Sequence, residues 1–570
     1  MLGLELLDWL ILLAYLVGVT IIGTWAARRV TSAASYFIGD RKFGKVMMMF
    51  FMFGSGTHSD QAVGVASKTY QSGASGIWYQ WQWLFATPFY WIAAPVFRRM
   101  RAVTTGDYFQ ARYGPSVSVL YAAVAMMQFT VMIGMMLKGS AAMVEAVTGG
   151  AISATVAMIV MTVMFVIYGL AGGMSAAIVT DFVQGVLTIF FSFLLLPFAL
   201  QAVGGLSGLA ATLDPEKLHI VAPREITAFY IAIIAINALI GWATQPHTMA
   251  VCAAGKTEME GRVGVTFGMF GKRICTIAWM LTALCALALY AGTELDPDHI
   301  YGTMAAELLP KVGAGLIGLF IACMLASVMS SCDAFMVAAA GLFTENLYKK
   351  IAGTGRPERH YVLIGRLASL TIVVAGIAFA LTLESVVDAL EIFWMVAAMM
   401  GIAFWVGLFW RRATVAGAWA GTLASFAVLL FTSRIAFGPL VLWDFNARFA
   451  GYLPDVFLYE GRLLLSWQMV FYLVTGLVVL VLVSLRTRRV DAEKLDRLYA
   501  CLRTPIGPNE PETAPFTLPP GVLPAPRRVL WDHPDFEIPR PTLVGMAGFF
   551  ASWLIVAVLI AVVYRIVPQP

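Results

Sequence analysis

The chain has 570 residues, of which 60% are hydrophobic and only 12% charged, and its net charge is +5. A soluble globular protein carries about 25% charged residues, so this composition excludes a soluble domain, a disordered chain and a coiled coil. The small net charge and the loop position of the basic residues give no support for a nucleic-acid partner. The six cysteines suggest no disulfide framework. We therefore expect a polytopic membrane protein.

Fourteen apolar runs are long enough to cross a bilayer as helices. They lie at about 6–27, 46–71, 74–97, 115–146, 151–171, 176–203, 226–250, 274–292, 312–341, 362–383, 386–410, 413–433, 465–485 and 542–564. The first run is followed, not preceded, by Arg28 and Arg29, so we expect a retained helix and not a cleaved signal.

Orientation follows from the basic residues, which concentrate in one set of alternating loops. This set includes Arg28, Arg98, Arg99 and the pair Lys272 and Arg273. We assign these loops to the cytoplasm, which places both termini outside. The sequence contains no N-x-S/T sequon, and this favours a bacterial inner membrane.

Residues 487–539 depart from the apolar pattern. They begin with a short amphipathic pattern, and eleven of the chain's 25 prolines lie between Pro505 and Pro541. Proline at this density is incompatible with a regular helix, so we expect a cytoplasmic proline-rich loop of extended chain. The segment is too short for a nucleotide-binding domain, and no Walker loop occurs in the sequence.

Two of the predicted spans are interrupted by polar residues. The second reads FMFGSGTHSDQAVG and contains His58, Asp60 and Gln61, and the seventh reads GWATQPHTM and contains Gln245 and His247. Irregular backbone at bilayer depth survives only where it lines a cavity or faces protein. Two such helices, five spans apart, are typical of inverted-repeat transporters with a site at the midplane. The alternative is a pair of glycine and proline kinks in ordinary helix packing.

The ninth span carries three serines on one helical face. Ser327, Ser330 and Ser331 are spaced i, i+3 and i+4, and Asp333 follows. Hydroxyl and carbonyl oxygens are hard ligands that suit a cation such as Na⁺, and an intramembrane carboxylate usually serves a function. The alternative is that the serines only allow close helix packing.

Four stretches carry a resemblance to a known family. They are SYFIGDRKFG before the second span, TTGDYFQARYG after the third, YGLAGGMSAAIVTDFVQG at 168–185, and ASVMSSCDAFMVAAAGLFTENLYKK at 326–350. In these stretches the chain resembles the sodium:solute symporter family, which includes the sodium/glucose, proline and pantothenate symporters. The resemblance implies an all-α membrane protein with a LeuT-like five-plus-five inverted repeat.

The resemblance also implies a Na⁺ site. Its positions on this chain are the carbonyls of Gly54, Thr57 and Ser327 and the hydroxyls of Ser330 and Ser331. This agrees with the reading of the residues themselves, in which a helix break frees carbonyls that face a line of serines.

A second cation or proton site is implied at two acidic residues. Asp181 matches an acid that in some members of the family helps to form a second Na⁺ site. Asp333 and Ala334 stand where such members have serines, so this site would be altered here.

The solute remains open at this level. The acid found at the helix break in the proline branch is replaced by Gly56, whereas Asp60 and Gln61 match positions of the sugar-transporting members. Candidate solute contacts are His58, Asp60, Gln61, Gln245 and His247. For His58 an internal hydrogen bond, and for His247 a role in holding the break open, are alternatives.

The predicted organisation has six parts. They are a first helix and cytoplasmic loop at 1–45, a first inverted repeat with the start of the second at 46–250, the second repeat at 226–433, an additional helix at 434–486, the cytoplasmic loop at 487–539 and a last helix at 540–570. We expect a Na⁺-coupled symporter that imports a sugar, amino acid or organic acid, with no enzymatic activity and no obligate protein partner. An H⁺-coupled symporter and a membrane solute sensor are the alternatives.

Overall fold

Helices form nearly all of the regular structure, as the apolar composition predicts. The computed structural model describes residues 3–27, 41, 43–102, 104–353, 355–437, 440–507, 510–511 and 513–567. The basic pair Arg28 and Arg29, and most of the stretch SYFIGDRKFG, lie outside the described residues.

The helices are numbered here in chain order. They are α1 Leu6–Ala27, α2 Lys45–Gly56, α3 Ser59–Ser72, α4 Trp78–Trp81, α5 Thr87–Arg99, α6 Thr105–Arg112, α7 Pro115–Val147, α8 Ala154–Leu194, α9 Leu196–Ala202, α10 Gly205–Thr212, α11 Pro215–Leu218, α12 Ala228–Trp242, α13 Pro246–Ala253, α14 Glu258–Leu289, α15 Ile300–Val312, α16 Leu316–Phe343, α17 Lys349–Ala352, α18 Glu358–Ala380, α19 Val386–Met399, α20 Gly401–Phe409, α21 Val415–Thr432, α22 Phe445–Phe449, α23 Leu465–Arg486, α24 Ala492–Arg503 and α25 Leu543–Ile566.

Short antiparallel strands lie between α21 and α23. They are β1 Arg434–Phe437, β2 Leu440–Asp444, β3 Leu458–Tyr459 and β4 Arg462–Leu463. β1 pairs with β2, with Arg434 opposite Asp444, and β3 pairs with β4.

The predicted count of fourteen spans is not confirmed. Within the described residues ten helices are long and apolar enough to cross a membrane, or eleven if α12 and α13, bent by 57° at their junction, form one span. The second and third predicted spans consist of the shorter helices α2 to α5. The fifth and sixth are one helix, α8, whose glycine pair 172–173 costs helix stability but does not end it. The position of the termini stays a prediction.

The outer helices present apolar side chains outward. In α1, for example, Leu6, Leu10 and Leu13 are exposed. By contrast, the serine-bearing helix α16 is buried along nearly its whole length. An apolar exterior around a more polar interior is the arrangement expected for a helix bundle in lipid.

The proline-rich segment is packed against one end of the bundle. The predicted amphipathic helix is α24, which buries Leu495, Leu498 and Tyr499. The residues after it contain no helix in the described part before α25, as the prolines predict. Ion pairs between Glu510 and Arg101 and between Glu537 and Arg411 fix the segment to the loops before α6 and α21. The segment is therefore attached to the bundle at several points. The sequence predicted an extended loop and gave no indication of this attachment.

Candidate functional site: a broken helix, a serine face and a central cavity

The predicted interruption of the second span is a break between α2 and α3. Thr57 and His58 have extended backbone torsions, with φ of −130° and −140°. The Gln61 side chain bridges the break, since its Nε2 donates to the Gly56 carbonyl at 3.3 Å and its Oε1 accepts from the His58 N–H at 3.5 Å. Because the helix ends at Gly56, the last carbonyls of α2 have no backbone N–H groups of a following helical turn to accept from.

The serine face of α16 meets this break. The Ser331 hydroxyl donates to the Gly54 carbonyl at 3.0 Å and also approaches the Ser327 carbonyl at 3.3 Å. The Ser330 hydroxyl donates to Asp181 Oδ1 at 2.6 Å. All five residues belong to the predicted cation sites, and the three serines and Asp181 are fully buried.

The close approach of the helices depends on a glycine. A Cβ on Gly54 would lie 2.8 Å from the Ser330 hydroxyl and 3.3 Å from the Asp181 carbonyl. A side chain at this position would therefore separate α2 from the serine face.

Several buried oxygens at the predicted cation positions have no visible partner in the described part of the chain, among them the Thr57 hydroxyl, although the ligand predicted at Thr57 is its carbonyl. Within the described residues, the Thr57 hydroxyl, Asp181 Oδ2 and both carboxylate oxygens of Asp333 have no hydrogen-bond partner. No hydrogen bond or ion pair joins Asp181 to Asp333 in that part of the chain. Buried oxygens normally find a partner, and hydroxyl, carbonyl and carboxylate oxygens are the chemistry that an alkali cation requires. The residues present therefore fit a bound cation.

A small cavity lies beside the break, at the junction of α2, α3, α5, α7, α14, α16 and the bend between α12 and α13. Its volume is about 40 Å³, and four of the predicted solute contacts, His58, Gln61, Gln245 and His247, line it. The fifth, Asp60, does not line the cavity but contacts His58 Nδ1 through its carboxylate. Gln61 Nε2 lies 2.9 Å from His58 Nε2, so the three side chains form one network.

Sequence reasoning missed two basic residues in this cavity. Lys272 and Arg273 were assigned to a cytoplasmic loop, but they lie inside α14, which begins sixteen residues before the predicted span at 274–292, and both are buried. The error has a physical reason, because a hydropathy pattern cannot distinguish a charge at a helix end from one facing a polar cavity. The signal in the sequence that could have indicated their position inside the helix is that the Lys-Arg pair is followed directly by an apolar run.

Comparison with known proteins places the chain among membrane transporters. A profile of the sodium:solute symporter family matches residues 36–425. The chain belongs to this family.

Individual relatives are about a quarter identical to this chain over the aligned residues. The osmoregulated proline transporter OpuE of Bacillus subtilis is 26% identical over 432 residues, which cover 73% of this chain and 86% of the relative. Sodium/glucose cotransporter 1 of Oryctolagus cuniculus is 24% identical over 479 residues, which cover 74% and 71%. The protein is therefore a multi-pass membrane transporter and not an enzyme.

A solved structure confirms the fold. The outward-open, substrate-bound structure of a Na⁺-coupled sialic acid symporter superposes with a TM-score of 0.71 at 17% identity, over 85% of this chain and 99% of the other. The predicted LeuT-like class is thus confirmed at the level of the fold.

Proposed function

We propose that the protein is a Na⁺-coupled symporter that imports a small polar organic solute by alternating access. The observation that carries this proposal is the junction of the α2 break with the serine face of α16, where Ser331 contacts the Gly54 carbonyl. One of the relatives named above, a sodium/glucose cotransporter, supports it.

Na⁺ would act by joining two parts of the bundle. Carbonyl oxygens of Gly54 and Thr57 belong to the broken helix, whereas Ser327, Ser330 and Ser331 belong to α16, so an ion held by both would fix their relative position. The cavity for the solute borders the same break. Binding of either species would then raise the affinity for the other, as linkage requires.

Proton coupling is the second candidate, and the buried acids favour it. Asp181 Oδ2 and both oxygens of Asp333 have no partner in the described part of the structure. A proton on either carboxyl group could replace a bound cation.

The test is the effect of Na⁺ on the thermal stability of the purified protein, with choline as the substitute cation. We expect Na⁺ to raise the unfolding midpoint, because it binds only the folded state. Removing two oxygen ligands by Ser330→Ala with Ser331→Ala should raise the half-saturating Na⁺ concentration at least tenfold.

A matched control is available on a neighbouring helix. Ser369 in α18 is buried and donates to the Met336 carbonyl of α16 at 2.6 Å, and it is not one of the predicted cation ligands. Ser369→Ala should leave the Na⁺ dependence unchanged. Equal stabilisation by Na⁺ and choline, together with a response to pH alone, would reject Na⁺ coupling in favour of protons.

A further inference from the structure

Two adjacent cations are buried at the centre of the bundle. Lys272 and Arg273 of α14 are 4% and 0% exposed, and within the described residues neither forms an ion pair. Burial of an unpaired charge is costly, and such residues inside a membrane normally serve a function. These two are not needed for the cation site, whose contacts all come from other helices.

The contacts of the two cations solvate them without neutralising them. Lys272 Nζ donates to the Gly56 carbonyl at 2.8 Å, and Arg273 Nη1 donates to the Gln80 carbonyl at 2.9 Å. Both charges lie over the indole of Trp83, at 5.4 and 5.8 Å from the ring centre. An ammonium group has three donors and a guanidinium group five, and Arg273 Nε has no partner in the described residues. Donor capacity therefore remains at both residues.

The cavity that the cations line contains no acidic side chain among its described residues. The acid of the broken helix, Asp60, contacts His58 Nδ1 and also interacts electrostatically with Lys272, but it forms no ion pair with Lys272 or Arg273 in the described residues. The other polar side chains of the lining include the amides of Gln61 and Gln245, the imidazoles of His58 and His247 and the Ser55 hydroxyl, and His247 Nδ1 is buried without a partner in the described residues. The site is thus rich in hydrogen-bond donors and lacks a negative charge on its own walls.

The cavity is small in this conformation of the protein, with a volume of about 40 Å³. The remaining walls include Met132, Met135 and Phe335, which suit a short apolar group.

We propose that the solute is a small organic monocarboxylate, bound with its carboxylate at Lys272 and Arg273 and its apolar end against the methionines. This proposal rests on the proposed function, since it names the solute of the same symporter. A carboxylate would place a negative charge in direct contact with Lys272 and Arg273 and accept charge-assisted hydrogen bonds from both residues.

A purely structural role for Lys272 makes a different prediction. If its only task were to hold the broken helix through the Gly56 carbonyl, its replacement would lower stability equally with and without any solute. A solute site requires instead that replacement abolish a carboxylate-specific effect.

The test compares charged and neutral probes of the same size on the full-length purified protein. Unfolding midpoints are measured in constant Na⁺ with acetate, propionate or lactate, and with propionamide, the neutral counterpart of propionate. We expect at least one carboxylate to raise the midpoint and propionamide to have no effect. In Lys272→Gln and in Arg273→Gln the half-saturating carboxylate concentration should increase at least tenfold.

Two further variants control for folding and for general charge effects. Lys272→Arg keeps the charge and should retain carboxylate binding. Arg262→Gln removes a cation from the same helix, where Arg262 lies over Trp91 and outside the cavity, and should leave binding unchanged. Loss of binding in Arg262→Gln equal to that in Lys272→Gln would overturn the assignment.

The outcomes separate this inference from the function on which it rests. Absence of any preference for carboxylates over propionamide overturns the anion site, even if Na⁺ still stabilises the protein. A carboxylate effect that is equally strong in choline keeps the anion site and overturns Na⁺ coupling.

Discussion

Replacement of Gly54 by alanine tests the junction between the broken helix and the serine face. The new Cβ would lie 2.8 Å from the Ser330 hydroxyl, 3.3 Å from the Asp181 carbonyl and 3.4 Å from the Asp181 Cβ. Two of these three atoms belong to side chains that hydrogen-bond each other, so α2 must move away or the Ser330–Asp181 bond must break. In an unobstructed helix the same change would stabilise by about 1 kcal/mol.

The magnitude follows from these contacts. Overpacking of a tight site costs about 1–3 kcal/mol, and loss of a hydrogen bond to a charged group costs about 1.5–3 kcal/mol. If either free-energy cost destabilises the arrangement of oxygens that binds Na⁺, the affinity for Na⁺ falls about tenfold to a hundredfold. The assay is equilibrium binding of radioactive Na⁺ to the purified protein.

The matched control is Gly18→Ala in α1, where a Cβ would meet nothing within 4 Å. This variant should bind Na⁺ as the wild type does. Retention of wild-type Na⁺ affinity, within twofold, by folded Gly54→Ala would refute the placement of the ion at this junction.

Three other predictions concern the rest of the bundle. Burial raises the pKa of the Glu510 carboxyl, but hydrogen bonds from Arg101 and the Gly507 N–H and the charge of Arg98 hold it below its ordinary value of 4.5. The ionised carboxylate therefore contributes its full stabilisation above pH 4.5, and this is lost as the pH falls through the lowered pKa. Glu510→Gln should have a lower unfolding midpoint than the wild type at pH 7, and the difference between the two midpoints should become smaller only below pH 4.5. Cys501, buried beside Arg101 at 3.3 Å, should react slowly with a maleimide in the wild type and faster in Glu510→Gln, as followed by mass spectrometry. Tyr472→Phe removes a 2.6 Å hydrogen bond to Asn237 and should cost about 1–3 kcal/mol in the free energy of unfolding, whereas Tyr452→Phe, at an 87% exposed position, should cost nothing measurable.

Local signals in the sequence predicted the parts of the site that depend on local chemistry. Glycines and polar residues in an apolar run predicted the break after Gly56, and the i, i+3, i+4 spacing predicted that Ser327, Ser330 and Ser331 share a face. The structure confirms both, and it joins Ser331 to Gly54 across 277 positions of the chain. The family resemblance implied that these two elements form one site, and the free carbonyls of the break and the serine face agree with it.

Features that depend on distant partners were not predictable in this way. The sequence predicts Lys272 and Arg273 to be loop residues because hydropathy is averaged over neighbours in sequence. It contains no information on the carbonyls of Gly56 and Gln80, which accept hydrogen bonds from these two side chains. The packing of the proline-rich segment likewise depends on Glu510 and Arg101, which are 409 positions apart. Composition indicated that this segment is not helical, but it contained no information on where the segment binds.

The two buried acids offer a test of how many cations the symporter binds. Asp181 is bonded to Ser330 at the break, so Asp181→Asn should weaken Na⁺ binding at the serine face itself. Asp333 has both oxygens buried and without a partner in the described residues, a costly arrangement unless a cation or a proton occupies it. If Asp333 holds a second Na⁺, the Hill coefficient for Na⁺ exceeds one, rises from pH 6 to pH 8 as protons are displaced, and falls to one in Asp333→Asn. Glu384→Gln, at an 80% exposed side chain, serves as the control and should leave the coefficient unchanged. A wild-type coefficient of one at both pH values would restrict the ion to the single site formed by Gly54 and the serines, and would leave no Na⁺ at Asp333.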